Sequence, residues 1–325
     1  MIPFSVVRST GNYSTSTEFL LLGLTHDPHL QLVLFIVFLL IYFVIVMGNV
    51  GILLIIHFTF SLHTPMYTFL SHLAFIDICY ASVVVPNTMV HLLTHSTYIS
   101  GAGCAVQLFM FSSLGSTECL LFGVMAYDRY LAICNPLYYG TIMTLQTCNI
   151  LFATSCIFAT IQAAIQTGFT FSLNFCGSNI IDHFICDALP LIRLSCSKTT
   201  LNEIIISVSA AIIGGGSLFI IVTSYLWIAI TVIKIPSSQG KRKAFSTCAS
   251  HLACVTLFFG TVLFNYLHPS GGVMIRQEVV ASIFYTMVIP MLNPLIYSLR
   301  NTNVRRMFHQ FLTRRIASHL WFVHT

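Results

Sequence analysis

The stretch 30–56, LQLVLFIVFLLIYFVIVMGNVGILLII, contains no Lys, Arg, Asp or Glu. About 20 apolar residues in a helix cross the roughly 30 Å hydrocarbon core of a bilayer, so this stretch reads as a membrane span. The pattern repeats along the chain. Charged residues are missing from Asp27 to Asp77, Asp77 to Glu118, Arg129 to Asp182, Glu203 to Lys234, Lys243 to Arg276 and Glu278 to Arg300. These gaps place spans at 30–56, 65–93, 104–133, 148–169, 201–233, 245–268 and 279–299. Turn chemistry separates them at His63-Thr64-Pro65, 94–100, Asn135-Pro136, Pro236-Ser237-Ser238-Gln239-Gly240 and Pro269-Ser270-Gly271-Gly272. The expected fold is an all-α membrane protein, a seven-transmembrane helix bundle.

Composition agrees. Only 7% of the 325 residues are charged, against about 25% in a soluble domain, and the mean hydropathy is +0.87. The net charge of +5 comes from short basic clusters, Lys241-Arg242-Lys243 and Arg300 to Arg315, that flank apolar spans. That placement is a topology signal rather than a nucleic-acid surface. It puts the clusters in the cytoplasm, and an odd number of spans then puts the amino terminus outside. Asn12-Tyr13-Ser14, a glycosylation sequon, lies on that outer side. The chain reads as one domain: 1–29 outside, 30–299 the bundle and 300–325 a cytoplasmic tail. Residues before the first span lack a cleavable signal pattern, so that span is expected to act as the targeting signal. In the tail, Val304, Phe308, Phe311 and Leu312 among Arg305, Arg306, Arg314 and Arg315 suit a short amphipathic helix on membrane lipid.

Of the eleven cysteines, Cys176, Cys186 and Cys196 fall in the outer loop between spans four and five, and Cys104 opens span three on the same side. An oxidising compartment favours disulfides there, and four cysteines allow three pairings. Any of them ties the loop down as a lid. His183 and Cys186 have metal-ligand spacing, but an oxidised Cys186 is no ligand.

Ionisable groups inside a span are functional candidates. Asp77 in span two and Glu118 in span three could meet inside the bundle. Two bare carboxylates repel, which leaves three arrangements: one is protonated, a small cation such as Na⁺ sits between them, or they form a hydrogen-bonded polar pair without an ion. Asp128-Arg129-Tyr130 ends span three at the cytoplasmic face, where the acid can hold the guanidinium at rest; the simpler alternative is an arginine snorkelling to the interface. Asn49, Asn293-Pro294 and Tyr297 set amides, a helix-weakening proline and a phenol in apolar helices.

Pro65-Met66-Tyr67, the run from Met125-Ala126-Tyr127-Asp128-Arg129-Tyr130 to Leu137, the run Lys243-Ala244-Phe245-Ser246-Thr247-Cys248-Ala249-Ser250-His251-Leu252 and the run from Pro290-Met291-Leu292-Asn293-Pro294 through Tyr297 to Asn301 occur in this order. In these motifs, and over nearly its whole length, the chain resembles the rhodopsin-like G-protein-coupled receptors, and within them the odorant (olfactory) receptors. The resemblance implies a plasma-membrane receptor of the sensory cilium. It would be activated by small volatile odorants and would drive the heterotrimeric stimulatory olfactory G protein to raise cyclic AMP. It also implies disulfides Cys104–Cys186 and Cys176–Cys196, a Na⁺ site at Asp77 and Glu118 with no required cofactor, and coupling through Asp128, Arg129, Tyr130, Tyr225, His251, Asn293, Pro294 and Tyr297. Two departures stand out. Phe259 precedes Gly260 where the family usually has Tyr, and Thr302-Asn303 replaces a Lys and an acid.

Counting along span three from Cys104, residues Leu108, Phe111, Ser112, Gly115, Ser116 and Cys119 share one face. By resemblance this face looks into a ligand pocket. Opposite it are expected Ile206, Ser209, Ala210 and Ile213 of span five, Phe259, Val262, Leu263 and Tyr266 of span six, and Ile283, Thr286 and Met287 of span seven. Such a lining binds by desolvation, with Ser112, Ser116, Tyr266 or Thr286 supplying directional bonds. A biogenic-amine receptor would need a carboxylate where Phe111 stands, and an opsin a lysine in 279–299. A receptor for another small lipophilic ligand is the nearest alternative. A transporter or channel would show duplicated halves, which this chain lacks, and no phosphate loop or nucleophile motif supports an enzyme.

Overall fold

The computed structural model describes residues 18–25, 27–94, 98–176, 179–267 and 274–300. Asn12 and the tail 301–325, with its expected amphipathic helix, lie outside the described residues. Six helices are long and apolar enough to span a membrane: Pro28–Phe58, Pro65–Thr94, Gly101–Cys134, Leu145–Phe171, Thr200–Lys234 and Val279–Ile296. A shorter apolar helix, Cys248–Leu263, lies within Ser238–Leu267. In chain order they are the seven spans of the bundle, with Cys248–Leu263 the sixth and Val279–Ile296 the seventh.

Polar caps start several of these helices just outside the apolar stretch. Asp27 accepts a hydrogen bond from the His29 amide at 2.9 Å, with Pro28 in the first turn. The Ser100 hydroxyl accepts from Gly103 N at 3.0 Å, and the Thr144 hydroxyl from Thr147 N at 3.1 Å. Each cap satisfies a helix-end amide that has no partner within the helix. The turn expected across Pro236 to Gly240 contracts to 235–237, because Ser237 Oγ accepts from Gly240 N at 3.1 Å and the sixth helix already runs from Ser238. The Asn135-Pro136 break is followed by a short helix, Pro136–Ile142, with the proline in its first turn.

The third span is the hub, packing against the second, fourth, fifth and sixth. Its Leu121, Phe122, Met125 and Ala126 belong to the main core cluster, with Phe69 and Leu73 of span two, Cys148 of span four, Ile221 of span five and Phe258 of span six. The first span buries Phe38 and Ile45 and turns Leu32, Leu40 and Phe43 outward as a lipid face.

The sequence did not suggest the small sheet at the outer end. Strand β1 (Glu18–Leu21) lies between β2 (Tyr98–Ser100), to which it is antiparallel, and β3 (Ile180–Ile181), to which it is parallel. Phe19 and Leu21, alternate residues of β1, are buried in an outer cluster with Cys104, Leu108, Ile181, Cys186 and Leu191. The Phe19 ring meets Phe175 edge-on at 5.3 Å.

Disulfides join Cys104 to Cys186 and Cys176 to Cys196, with Cα separations of 5.4 and 5.9 Å. Gln107 reinforces the first link: its side-chain oxygen accepts from Cys186 N at 2.9 Å while its nitrogen donates to Val83 O at 3.3 Å. His183 Nδ1 accepts from Ile185 N at 3.2 Å, so the His183–Cys186 segment is loop structure.

The chain-entropy view scales a disulfide with the loop it closes. The 82-residue separation of Cys104–Cys186 corresponds to about 4.5 kcal/mol, and the 20-residue separation of Cys176–Cys196 to about 3 kcal/mol. Cys104→Ser is therefore predicted to lower surface delivery and melting temperature more than Cys176→Ser, in paired measurements on the purified receptor and on intact cells. The reverse order would show that loop closure does not govern these links.

Candidate functional site

A column of buried polar residues runs down the bundle. Asn49 Nδ2 of the first span donates to Ile45 O at 3.0 Å and to Pro290 O of the seventh at 3.2 Å. Asn293 Nδ2 donates to both carboxylate oxygens of Asp77, at 3.0 and 3.2 Å, tying span seven to span two. Pro294 presses on span one, where a Cβ at Gly48 would stand 3.1 Å from its ring; glycine permits that approach. Glu118 is fully buried, and neither of its carboxylate oxygens has a partner. The side-chain oxygens of Asn49 and Asn293 are also buried and unpartnered. Unmatched acceptors of this kind are costly in a low-dielectric interior.

At the cytoplasmic end of span three, buried Arg129 is paired with its neighbour Asp128, Nε donating to Oδ2 at 3.0 Å and Nη2 to the same oxygen. The other Asp128 oxygen accepts from the Tyr139 hydroxyl at 2.9 Å. Sequence reasoning missed Tyr139; its one signal was a phenol shortly after Asn135-Pro136. Burial first, then the adjacent Asp128 charge, pushes the Tyr139 phenol above its ordinary pKa, so it stays a donor at physiological pH. Tyr130 stacks on Tyr127 at 6.2 Å.

One turn deeper, His251 joins three spans. Its Nε2 lies 3.2 Å from Phe122 O, and its Nδ1 lies 2.8 Å from the Tyr225 hydroxyl. A carbonyl only accepts, so the imidazole proton sits on Nε2 and Nδ1 accepts from Tyr225. Ser250 Oγ adds a bond to Ile296 O of span seven at 3.3 Å.

The expected pocket residues divide among three clusters. Phe111 packs with Ile283 and Phe184, its ring 5.4 Å from Tyr80 and 5.9 Å from Tyr285. Ile213, Phe259, Val262 and Cys119 meet in the main core, Cys119 Sγ reaching Ile213 O at 3.7 Å. Leu108 and Ile206 join the outer cluster under the sheet. Gly115 faces span two, where a Cβ would lie 3.1 Å from the Tyr80 hydroxyl. Ser112, Ser209 and Ala210 are half-buried.

Several side chains turn elsewhere. Ser116 Oγ donates to Gln162 Oε1 of span four at 3.1 Å, and Thr286 Oγ1 donates to Ser282 O at 2.6 Å, so neither hydroxyl proton is free for a ligand. Met287 packs toward Phe38 and Ile45 of span one. Leu263 is 46% exposed, on the outer face of its helix. Straight helical counting also fails at two wide turns of π-helix, Ala210–Gly215 and Phe284–Val288, each of which rotates the residues that follow it. The side chains of Tyr266 and Tyr297 lie outside the described residues.

A buried polar column, a paired arginine at the cytoplasmic end and a disulfide-tied outer loop define a seven-helix membrane receptor. The family model for the olfactory receptor matches residues 38–315, and the chain belongs to that family of odorant-activated G-protein-coupled receptors, which are not enzymes. It is similar to olfactory receptor 5AP2 of Homo sapiens, 50% identical over 94% of this chain and 96% of that one. It is also similar to olfactory receptor 5AR1 of Mus musculus, 46% identical over 94% and 98%, and to olfactory receptor 5F1 of Homo sapiens, 45% identical over 94% and 98%.

Tyr139→Phe removes one hydrogen bond to the acid of the Asp128–Arg129 pair. A hydrogen bond to a charged group contributes about 1.5 kcal/mol or more, which corresponds to roughly tenfold in an equilibrium constant. Ligand-free nucleotide exchange on the G protein, normalised to receptor amount, is predicted to rise by up to about tenfold in this variant. An unchanged basal rate would remove Tyr139 from the latch.

Proposed function

We propose that this receptor binds small, volatile, mostly apolar odorants within the outer half of the bundle and activates the stimulatory olfactory G protein, raising cyclic AMP at the plasma membrane of olfactory sensory cilia. The observation that carries the reading is the buried Arg129–Asp128 pair, closed at the cytoplasmic end of the most connected helix. An odorant shifts the resting equilibrium only by as much as it prefers the active bundle. Binding must therefore re-pack the clusters around Phe111, Ile213 and Phe259 as Arg129 is released. Ser112 is the hydroxyl best suited to contact an oxygen-bearing odorant, since Ser116 and Thr286 already donate within the protein. Phe259 contributes only apolar contact.

The polar column supports a Na⁺ site at Asp77 and Glu118. The two carboxylates and the unpartnered oxygens of Asn49 and Asn293 are hard oxygen donors of the kind a small cation takes. Among the described residues no group of three or more His, Cys, Asp or Glu gathers, so the ion would rest on two acids supplemented by amides. When bound, the cation would neutralise Glu118 and favour the resting packing. Asn12 is proposed as the glycosylated residue of the outer segment.

In cells supplied with the olfactory G protein, an odorant panel is expected to evoke cyclic AMP from the intact receptor. Arg129→Ala is expected to lose that response while surface delivery persists. Cyclic AMP output unaffected by Arg129→Ala would sink the mechanism, and current without G protein would favour a channel. Replacing Na⁺ by a bulky organic cation is predicted to raise basal exchange in the unaltered receptor and to have no effect in Glu118→Gln. Equal responses of the two would remove the ion from the reading.

A further inference from the structure

A cavity of about 230 Å³ lies at the outer end of the bundle, between the segment following β1, the start of span one, the end of span two and the outer loop. Among the described residues none of the third, fifth, sixth or seventh spans lines it. We propose that it is a second small-molecule site, separate from the odorant pocket, and that it takes a short-chain monocarboxylic acid.

Its wall is largely apolar, with Leu22, Leu24, Leu92 and Phe184 facing the space. Among these groups sits His91, only 9% exposed. The imidazole makes no hydrogen bond with the described residues, and His91 lines the cavity. A half-sunk imidazole with unused donor and acceptor capacity is matched best by a ligand that supplies both. Thr25 adds a second donor: its Oγ1 accepts from Asp27 N at 3.2 Å, leaving the hydroxyl proton to point elsewhere. Gln31 donates its amide nitrogen to Thr25 O at 3.0 Å and leaves its side-chain oxygen buried and unpartnered, an acceptor for a ligand O–H.

The head-group chemistry follows from what else lines the space. Among the described lining residues His91 is the one titratable side chain, and none of them is an Asp or Glu that would repel an anion. A carboxylic acid can donate its O–H to one His91 ring nitrogen while its carbonyl oxygen accepts from the Thr25 hydroxyl. An alcohol of equal length brings a single oxygen to both partners, which ranks the acid above it. The alkyl chain then lies against the leucines and Phe184. An apolar cavity of about 150 Å³ holds one benzene ring, so a carboxyl head with about five further carbons suits this volume. Phe184 separates the two sites: one side of it lines the cavity, and the ring packs in the cluster that contains Phe111 and Tyr80.

The test uses full-length receptor in lipid nanodiscs, with melting temperature followed against hexanoate and hexan-1-ol. Hexanoate is expected to stabilise saturably, with a half-saturating concentration at least tenfold below that of the alcohol. His91→Phe and Leu92→Trp, which remove the imidazole and fill the cavity, should each weaken hexanoate at least tenfold. Ser112→Trp in the odorant pocket should leave it unchanged. Equal effects of acid and alcohol, indifference to both cavity variants, or loss in Ser112→Trp would each overturn the proposal. A chain-length series on the unaltered receptor tests it independently of any variant's folding. An optimum near six carbons supports the site, and a steady rise to dodecanoate, the signature of lipid partitioning, overturns it.

Discussion

Water is absent from the hydrocarbon, so a polar atom in these helices is matched by another part of the protein or left as a liability. Many hydroxyls turn back onto their own helix, as Thr88 does to Val84 and Thr117 to Ser113, and a smaller set of polar groups is matched between helices. Asn49 reaches Pro290, Asn293 reaches Asp77, Ser116 reaches Gln162, and His251 draws Phe122 and Tyr225 together. Apolar side chains pack with lipid tails about as well as with one another, and so give greasy helices little reason to choose neighbours. The hydrogen bonds fix which helix stands beside which. Glu118 exposes the constraint, because neither of its oxygens has a partner among the described residues.

The two ends of the bundle are secured differently. Outside, covalent links, the Gln107 bridge and a three-stranded sheet fasten the loop to span three. Inside, among the described residues, the closure rests on the Arg129–Asp128 ion pair, the Tyr139 and Tyr225 phenols and the His251 imidazole. Those bonds each contribute of the order of 1 kcal/mol and can exchange partners without breaking the chain's covalent frame. A molecule built this way resists deformation at its outer end and yields at its inner one.

The spans were legible because a bilayer writes its thickness into sequence as runs without charge; 30–56 needs no further context. Arg129 and Asp128 were legible as a motif and as neighbours, and their pairing needs only one helix end. Tyr139 was not, because its bond depends on how the Pro136–Ile142 helix folds back. Strand pairing of Leu20 with Ile180 joins residues far apart in sequence, and strands of two to four residues leave no periodicity. Counting from Cys104 gives the phase of span three, yet phase does not say which neighbour Ser116 meets. On span five the wide turn at Ala210–Gly215 leaves Ile206 under the sheet and Ile213 in the main core.

Strand β1 also imposes an order on biogenesis. It leaves the ribosome first, yet its antiparallel partner β2 follows two spans later and its parallel partner β3 only after four spans have been made. Phe19 and Leu21 therefore wait uncovered on the lumenal side while more than half of the membrane domain is threaded, and they are buried only when the 180–181 segment arrives. During that interval the exposed strand is a surface that a folding helper in the lumen can hold, and its disappearance marks a receptor whose first four spans have inserted the right way round.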